Sequence, residues 1–293
     1  MRVMTWNVWW RFQAWDERRH ALLAVLRDEA PDIVGLQEVW GRGGDNLAAW
    51  LADALGMRWT WAPFDPRERW RERVERWGFD VGVAVLSRWP IADRAAVELP
   101  AAGGQDDGRM ALHALVDAPG HRVPFFTTHL NGAPGESAVR CAQVRALAAF
   151  VAERRAGTAF PAVVTGDFNA WPDSDEMRLL GGYRTRPAVP GQVLIDAWEY
   201  APPGTPAATW DAANPHTAPH GSCGVRIDYV HVGLPGPRSL GRVRAVRRAG
   251  TGPVDGVWPS DHTAVVADLH HPAAPAPEPG RAVSGRSSGP RPR

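Results

Sequence analysis

The apolar positions of this chain keep two rhythms. "RVMTWNVWW" (2–10), "DIVGLQEVW" (32–40) and "RWTWAPF" (58–64) are short runs rich in β-branched and aromatic residues, and they read as strands. Between them the spacing is helical. Asp16 is the expected N-cap of a helix to about Arg27, with Leu22, Val25 and Leu26 on one face. A second helix, Asn46 to Leu55, carries Leu47, Leu51 and Leu55 at spacing four. The arginine- and glutamate-dense "DPRERWRERVERWG" (65–78) reads as a short exposed helix. "FDVGVAVLSRWPI" (79–91), "AAVELP" (95–100), "GRMALHALVDAPG" (108–120) and "HRVPFFTTHL" (121–130) then follow at short intervals between turn residues, as antiparallel strands do. A helix is expected over Ser137 to Ala152, with Val144, Leu147 and Val151 on its buried stripe, and a buried strand at 161–164 leads into "GDFNAWP" (166–172). Beyond a Pro/Gly/Thr-rich loop (201–224) come three more strands, "VRIDYVHV", "GRVRAVRRAG" and "HTAVVADLH". Helices alternating with strands in places, and consecutive strands in others, imply a large α/β sandwich with mixed sheets.

Composition narrows the class. The 293 residues are 44% hydrophobic and 22% charged, ordinary for a globular protein with a large core. No apolar run is long enough to span a membrane. Met1 leads almost at once into a strand, without a basic and apolar leader, so a cytoplasmic location is expected. Two cysteines, Cys141 and Cys223, suit a reducing compartment. The net charge is +1, but four arginines (Arg281, Arg286, Arg291, Arg293) sit in a Pro/Ala/Gly-rich tail, 271–293, which is expected to be disordered. The body, 1–270, is expected to be a single domain, and its near-neutral balance excludes a general duplex-coating protein.

The polar residues that interrupt or end the strands carry the chemistry. Asn7 lies in "TWNVW", Glu38 ends "GLQEV", His129 ends "FFTTHL", and Asp167 and Asn169 end "VVTGDFN". Asp228 lies inside "RIDYVHV", and Asp261 and His262 open the last strand. Buried without partners, each would cost several kcal/mol, roughly. The economical explanation is that they meet at one mouth of the sheets and share a cation. An amide and carboxylate oxygens (Asn7, Glu38, Asp261) suit Mg2+ or Mn2+, not zinc. The nearest zinc-like grouping, His216, His220 and Cys223, reads as solvated loop residues. Taken singly, Asp167 and Asn169 would be turn formers and Asn7 a satisfied buried amide.

Seven motifs, "TWNV", "LQEV", "VLSRWPI", "THL", "GDFNA", "RIDYV" and "SDH", occur in an order and spacing that resemble the endonuclease/exonuclease/phosphatase superfamily from Val3 to about Leu269. The resemblance implies a four-layer α/β sandwich, two mixed and mainly antiparallel sheets packed face to face with helices outside. It also implies roles. Asn7 and Glu38 would be direct metal ligands, with Asp261 close to the ion. Asp167 would orient or deprotonate the attacking water, and Asn169 would donate to a non-bridging phosphate oxygen. His262, oriented by Asp228, would contact the scissile phosphate or shuttle a proton. His129 matches a second phosphate-side histidine, for which Asp80 is a candidate carboxylate partner, and Arg109 is a candidate phosphate contact.

The expected activity is therefore a Mg2+-dependent phosphoesterase, a phosphodiesterase acting on nucleic acid. Phospholipid (sphingomyelinase-like) or small-molecule phosphoester hydrolysis is the alternative with the same fold, and a catalytically silent binding protein is the alternative of another class. Of the 15 tryptophans, Trp171 and Trp258 are the candidates for the site mouth, where an indole can stack on a base or pack against lipid. The bland reading, core or rim packing, applies to at least half of those flanking the motifs. The absence of lysine after Glu38, in "QEVW", weighs against abasic-site repair within the superfamily.

Overall fold

The computed structural model describes residues 1–42, 45–64, 71–101, 108–221 and 223–272. The tail from 273 onward and residues 65–70 of the arginine-rich segment lie outside the described residues. In chain order the elements are β1 (Arg2–Asn7), α1 (Trp15–Glu29), β2 (Ile33–Arg42), β3 (Asp45–Asn46), α2 (Leu47–Leu55), β4 (Arg58–Pro63), α3 (Arg71–Trp77), β5 (Asp80–Ser87), β6 (Ile91–Glu98) and β7 (Met110–Ala118). Then come β8 (His121–His129), α4 (Ser137–Arg154), β9 (Val163–Asp167), α5 (Asp175–Gly181), β10 (Leu194–Asp196), β11 (Asp228–Gly233), β12 (Val243–Ala249) and β13 (Ala264–Leu269). Short 3-10 turns join some of them. No helix among the described residues is long and apolar enough to cross a membrane.

Two sheets result. One runs β12-β13-β1-β2-β5-β4, with β3 beside β2; the other runs β10-β11-β9-β8-β7-β6. Each is antiparallel except for one parallel pair, β1 with β2 and β8 with β9. Alternation along the strands divides the core into layers. On β8, Phe125 packs into the larger core between the sheets, and its neighbour Phe126 packs outward under α4 against Val144, Leu147 and Val151. Each such side chain contributes about 1.5–3 kcal/mol by leaving water. On the other flank, α1 and α2 bury Leu22, Leu26, Leu47 and Leu51 in the larger core. Gly35 marks where the sheets press closest: a Cβ there would lie 2.3 Å from Thr165 Oγ1 and 2.7 Å from Thr127 Oγ1.

Local expectations were met in part: β1 stops at Asn7, so residues 8–10 are not strand, and Glu38 lies inside β2 rather than at its end. Asn46 accepts from the Ala48 and Ala49 amides and so caps α2. Asp16 does not cap α1: Ala14 holds that position, and Asp16 lies in the first turn, paired with Arg19 at 2.7 Å. Asp228 begins β11 rather than lying inside it, because Val225 bridges to Trp210 and Arg226 turns to Asp196 at 2.7 Å. Asp261 and His262 precede β13 rather than opening it, because the Thr263 amide is drawn to the Thr209 carbonyl.

Candidate active site

Strand direction explains why the polar ends meet. Parallel strands end on the same side, so Asn7 at the end of β1 lies beside Gln37 and Glu38 on β2. β13 is antiparallel to β1, so Asp261 and His262, just before it, arrive at that same edge. In the second sheet, His129 of β8 pairs in register with Asp167 of β9, and Asp167 with Asp228 of β11. These three residues form one rung across the sheet. Gly166 permits it: φ is +155°, and a Cβ there would lie 2.3 Å from the Thr128 carbonyl oxygen. Glu38 is aimed by irregularity. The β2–β5 register shifts between Leu36 and Val39, and Glu38 takes φ +54°, a left-handed conformation that costs a non-glycine residue roughly 1–2 kcal/mol.

Asp167, 1% exposed, is the hub. Its Oδ2 accepts from Asn7 Nδ2 at 3.0 Å and lies 3.3 Å from His129 Nε2 and 3.8 Å from His262 Nε2. Its Oδ1 accepts from the Asn169 amide at 2.9 Å. Burial first, then the nearby Asp228 charge, raise the Asp167 pKa to about 6 against these donors. Asn169 (φ +49°) donates Nδ2 to the Leu130 carbonyl at 3.1 Å. His262 Nδ1 sits 2.8 Å from Asp228 Oδ2. Burial alone would lower the imidazole pKa, but Asp228, Asp261 and Asp167 outweigh it and hold the pKa well above the ordinary value. The surrounding carboxylates thus favour the protonated ring over the neutral one.

The donors for a cation are oxygen atoms. Glu38 Oε2 is buried with no hydrogen-bond partner among the described residues. Burial raises the Glu38 pKa, and burial together with the Glu38 charge raises that of Asp261 to about 6. Among the described residues Asn7 Oδ1 accepts the Trp9 amide, at 3.0 Å, and keeps a second lone pair. Buried carboxylates whose charged forms are disfavoured by burial, one with an orphaned oxygen, fit a hard divalent cation. Asp167, Asp228 and His262 also bring ligand atoms within 4.8 Å of one another. Within that trio His262 Nδ1 is already engaged by Asp228 at 2.8 Å, and His262 Nε2 stands 3.8 Å from Asp167, outside hydrogen-bond distance. Among the described residues, His216, His220 and Cys223 form no such group: His216 packs on Trp9 at 4.5 Å, His220 stacks on Trp210 at 6.0 Å, and Cys223 is exposed.

The other candidates divide. Arg109 is buried, and its charge acts on Glu38; it and Asn169 both flank Gly132. Trp171 is 55% exposed and, with Asn169 and His262, lines a cavity of about 380 Å³. Trp258 is half-buried and does not line that cavity. Trp10 and Trp40 are buried packing. Asp80 is corrected: it is exposed at the start of β5, and the carboxylate against His129 is Asp167. Three residues near the site were missed. Arg18 and Ser260 tie its loops, and Glu176, buried against Arg140 at 2.6 Å, lines the Trp171 cavity. Arg18 and Glu176 sit in charged runs that look like solvated helix faces, and tertiary structure shows what they hold.

A two-sheet sandwich with carboxylates, amides and imidazoles gathered at one mouth defines the class. Residues 4–262 match the model of the Endonuclease/Exonuclease/phosphatase family, and the chain belongs to that family. Solved structures agree in fold. A complex of D. rerio TDP2 with single strand DNA product is 19% identical, with a TM-score of 0.70, covering 91% of this chain and 97% of that one. The human nocturnin catalytic domain with a bound sulfate anion is 22% identical, with a TM-score of 0.66, covering 92% and 94%. An endonuclease/exonuclease/phosphatase from Beutenbergia cavernae DSM 12333 is 25% identical, with a TM-score of 0.67, covering 94% of this chain and 73% of that one. No curated protein matches the sequence.

Proposed function

We propose that the protein is a divalent-metal-dependent phosphodiesterase that cleaves nucleic acid by in-line attack of water. The observation that carries the reading is the convergence of Asn7, His129 and His262 on one oxygen of Asp167, while the Asn169 amide holds the other. A carboxylate fixed by so many donors is oriented, and a pKa of about 6 leaves it anionic at pH 7 yet basic enough to take a proton from water. Asn169 uses one Nδ2 hydrogen on Leu130 and offers the other to a non-bridging phosphate oxygen. His262 keeps Nδ1–H on Asp228 and presents Nε2–H to the phosphate, stabilising the developing charge or protonating the leaving oxygen. Arg109 adds positive charge. Asn7, Glu38 and Asp261 would hold Mg2+ or Mn2+, which supplies positive charge against the phosphate oxygens when bound. Nucleic acid is the favoured substrate because a relative of the same fold, D. rerio TDP2, is described with a single strand DNA product.

The test is hydrolysis of bis(p-nitrophenyl) phosphate with Mg2+ and then with EDTA, by the wild type and His262→Ala, followed by single-stranded DNA and sphingomyelin vesicles. Turnover that needs the ion and collapses in the variant supports the reading. A wild type as inert as the variant under every condition refutes it, and turnover confined to vesicles replaces nucleic acid with lipid.

A further inference from the structure

Arg18, on α1, is 2% exposed and carries no carboxylate partner within ion-pair distance among the described residues. Its five donor hydrogens meet five main-chain carbonyls. Nε donates to Phe12 at 3.1 Å, Nη1 to Val8 at 3.0 Å and Pro259 at 2.8 Å, and Nη2 to Trp9 at 2.9 Å and Trp10 at 3.2 Å. Two separate segments are thereby drawn onto one guanidinium: the loop that follows Asn7, and the turn that precedes Asp261.

The same loop is tied on its other side to β2. The Val8 and Trp10 amides donate to the Gln37 and Glu38 carbonyls, at 2.9 and 3.0 Å. The Trp9 amide donates to Asn7 Oδ1. The loop's amides thus hold Asn7 and Glu38, and its carbonyls hold Arg18. It is a costly conformation, with Trp9 at φ +57° and Trp10 at φ +38°. Such left-handed residues crowd their own Cβ and persist only where surrounding contacts fix them. A second tie joins the same segments: Ser260 Oγ donates to the Asn7 carbonyl at 2.6 Å. Electrostatics agree, because the Arg18 charge acts on both Asp261 and Glu38.

We infer that Arg18 is a positioning residue that sets the spacing of the Asn7, Glu38 and Asp261 oxygens before a divalent ion arrives. The inference rests on the proposed metal site. A lysine has three donors for five carbonyls, so Arg18→Lys strands at least two of them and frees the loop from the turn. Residues that orient metal ligands typically change ion affinity by about 10–100-fold.

Calorimetric titration of the substrate-free protein with Mn2+ and Mg2+ tests this, alongside urea denaturation without metal. Arg18→Lys is expected to weaken ion binding by about 10-fold or more, with Ser260→Ala shifting affinity the same way to a smaller extent. The ion concentration for half-maximal turnover should rise in parallel. A merely structural role would lower the urea midpoint and leave ion affinity unchanged, and that result overturns the inference. If Arg18→Lys does not fold, Ser260→Ala decides alone, and wild-type affinity in it is again fatal. Failure of the wild type to bind any divalent ion would instead bring down the metal reading itself, and the clamp with it.

Discussion

Asp228 offers a graded perturbation of the site. Its Oδ2 holds His262 Nδ1 at 2.8 Å, while its Oδ1 is buried without a hydrogen-bond partner. In Asp228→Asn, nothing fixes the amide with its NH2 toward the imidazole. The amide therefore turns its oxygen to His262 Nδ1 and the hydrogen bond survives with an uncharged acceptor. The loss is the difference between a charged and a neutral hydrogen bond, about 1–1.5 kcal/mol. That corresponds to a fall in kcat of roughly tenfold. Asp228→Ala removes the acceptor altogether, frees the ring, and should cost about 10²- to 10³-fold, the range of a positioned acid–base group. Both changes delete an anion that helps raise the Asp167 pKa, so the acid limb of the pH–rate profile should move to lower pH. The His262 pKa falls as well, because its leading favourable charge is gone, and the basic limb shifts down with it. The assay is the profile of kcat/KM for bis(p-nitrophenyl) phosphate at saturating Mg2+, with histidine titration by NMR. Equal losses in the two variants, or limbs that stay in place, would refute the account of His262 as a ring whose protonated form Asp228 favours.

Three further outcomes follow from the same geometry. Glu38→Gln removes a charge whose Oε2 lacks a partner, so the metal-free protein should gain about 1 kcal/mol in urea denaturation while turnover falls at least 10²-fold, roughly; a destabilised and active variant would contradict this. Asp167 and Asp261 are each raised from 3.8 to about 6, so the metal-free fold binds more protons than the unfolded chain between those values, and its stability should fall as pH rises through that window. His262 acts in the same direction, its contribution lost as pH rises through its elevated folded pKa; Mg2+ should restore stability most at pH 8, and a metal-free midpoint that climbs from pH 4 to 7 would count against the burial argument. Gly35→Ala pushes a methyl against Thr165, whose hydroxyl is already bound to the Phe126 carbonyl, and should destabilise by about 1–3 kcal/mol in thermal melts, with no loss expected if the sheets can part freely.

The sequence disclosed the site because strands tolerate carboxylates and amides poorly. Asn7, Glu38, His129 and Asp167 stood out as polar exceptions within or at the ends of strands, and a shared site was the simplest way to lower their burial cost. What it could not disclose was pairing across the sheet. His129 meets Asp167 rather than Asp80 because β8 and β9 run parallel in a register that puts the two opposite each other, a relation between residues 38 positions apart that leaves no local trace. Arg18 and Arg19 make the limit sharper. They are adjacent in "DERRH", beside the same acids, and identical to any rule about charge spacing. Arg19 pairs with Asp16 at the surface of α1, whereas Arg18, rotated one position round the helix, faces inward to the carbonyls of two loops. Helical periodicity assigns Arg18 to the face of Leu22, Val25 and Leu26, and the apolar stripe already implied that this face is buried. A buried arginine must find acceptors, and the irregular backbone after Asn7 needed donors. The first requirement was readable in the sequence; the second was not, because "RVMTWNVWW" reads as one strand and only the folded chain ends that strand at Asn7.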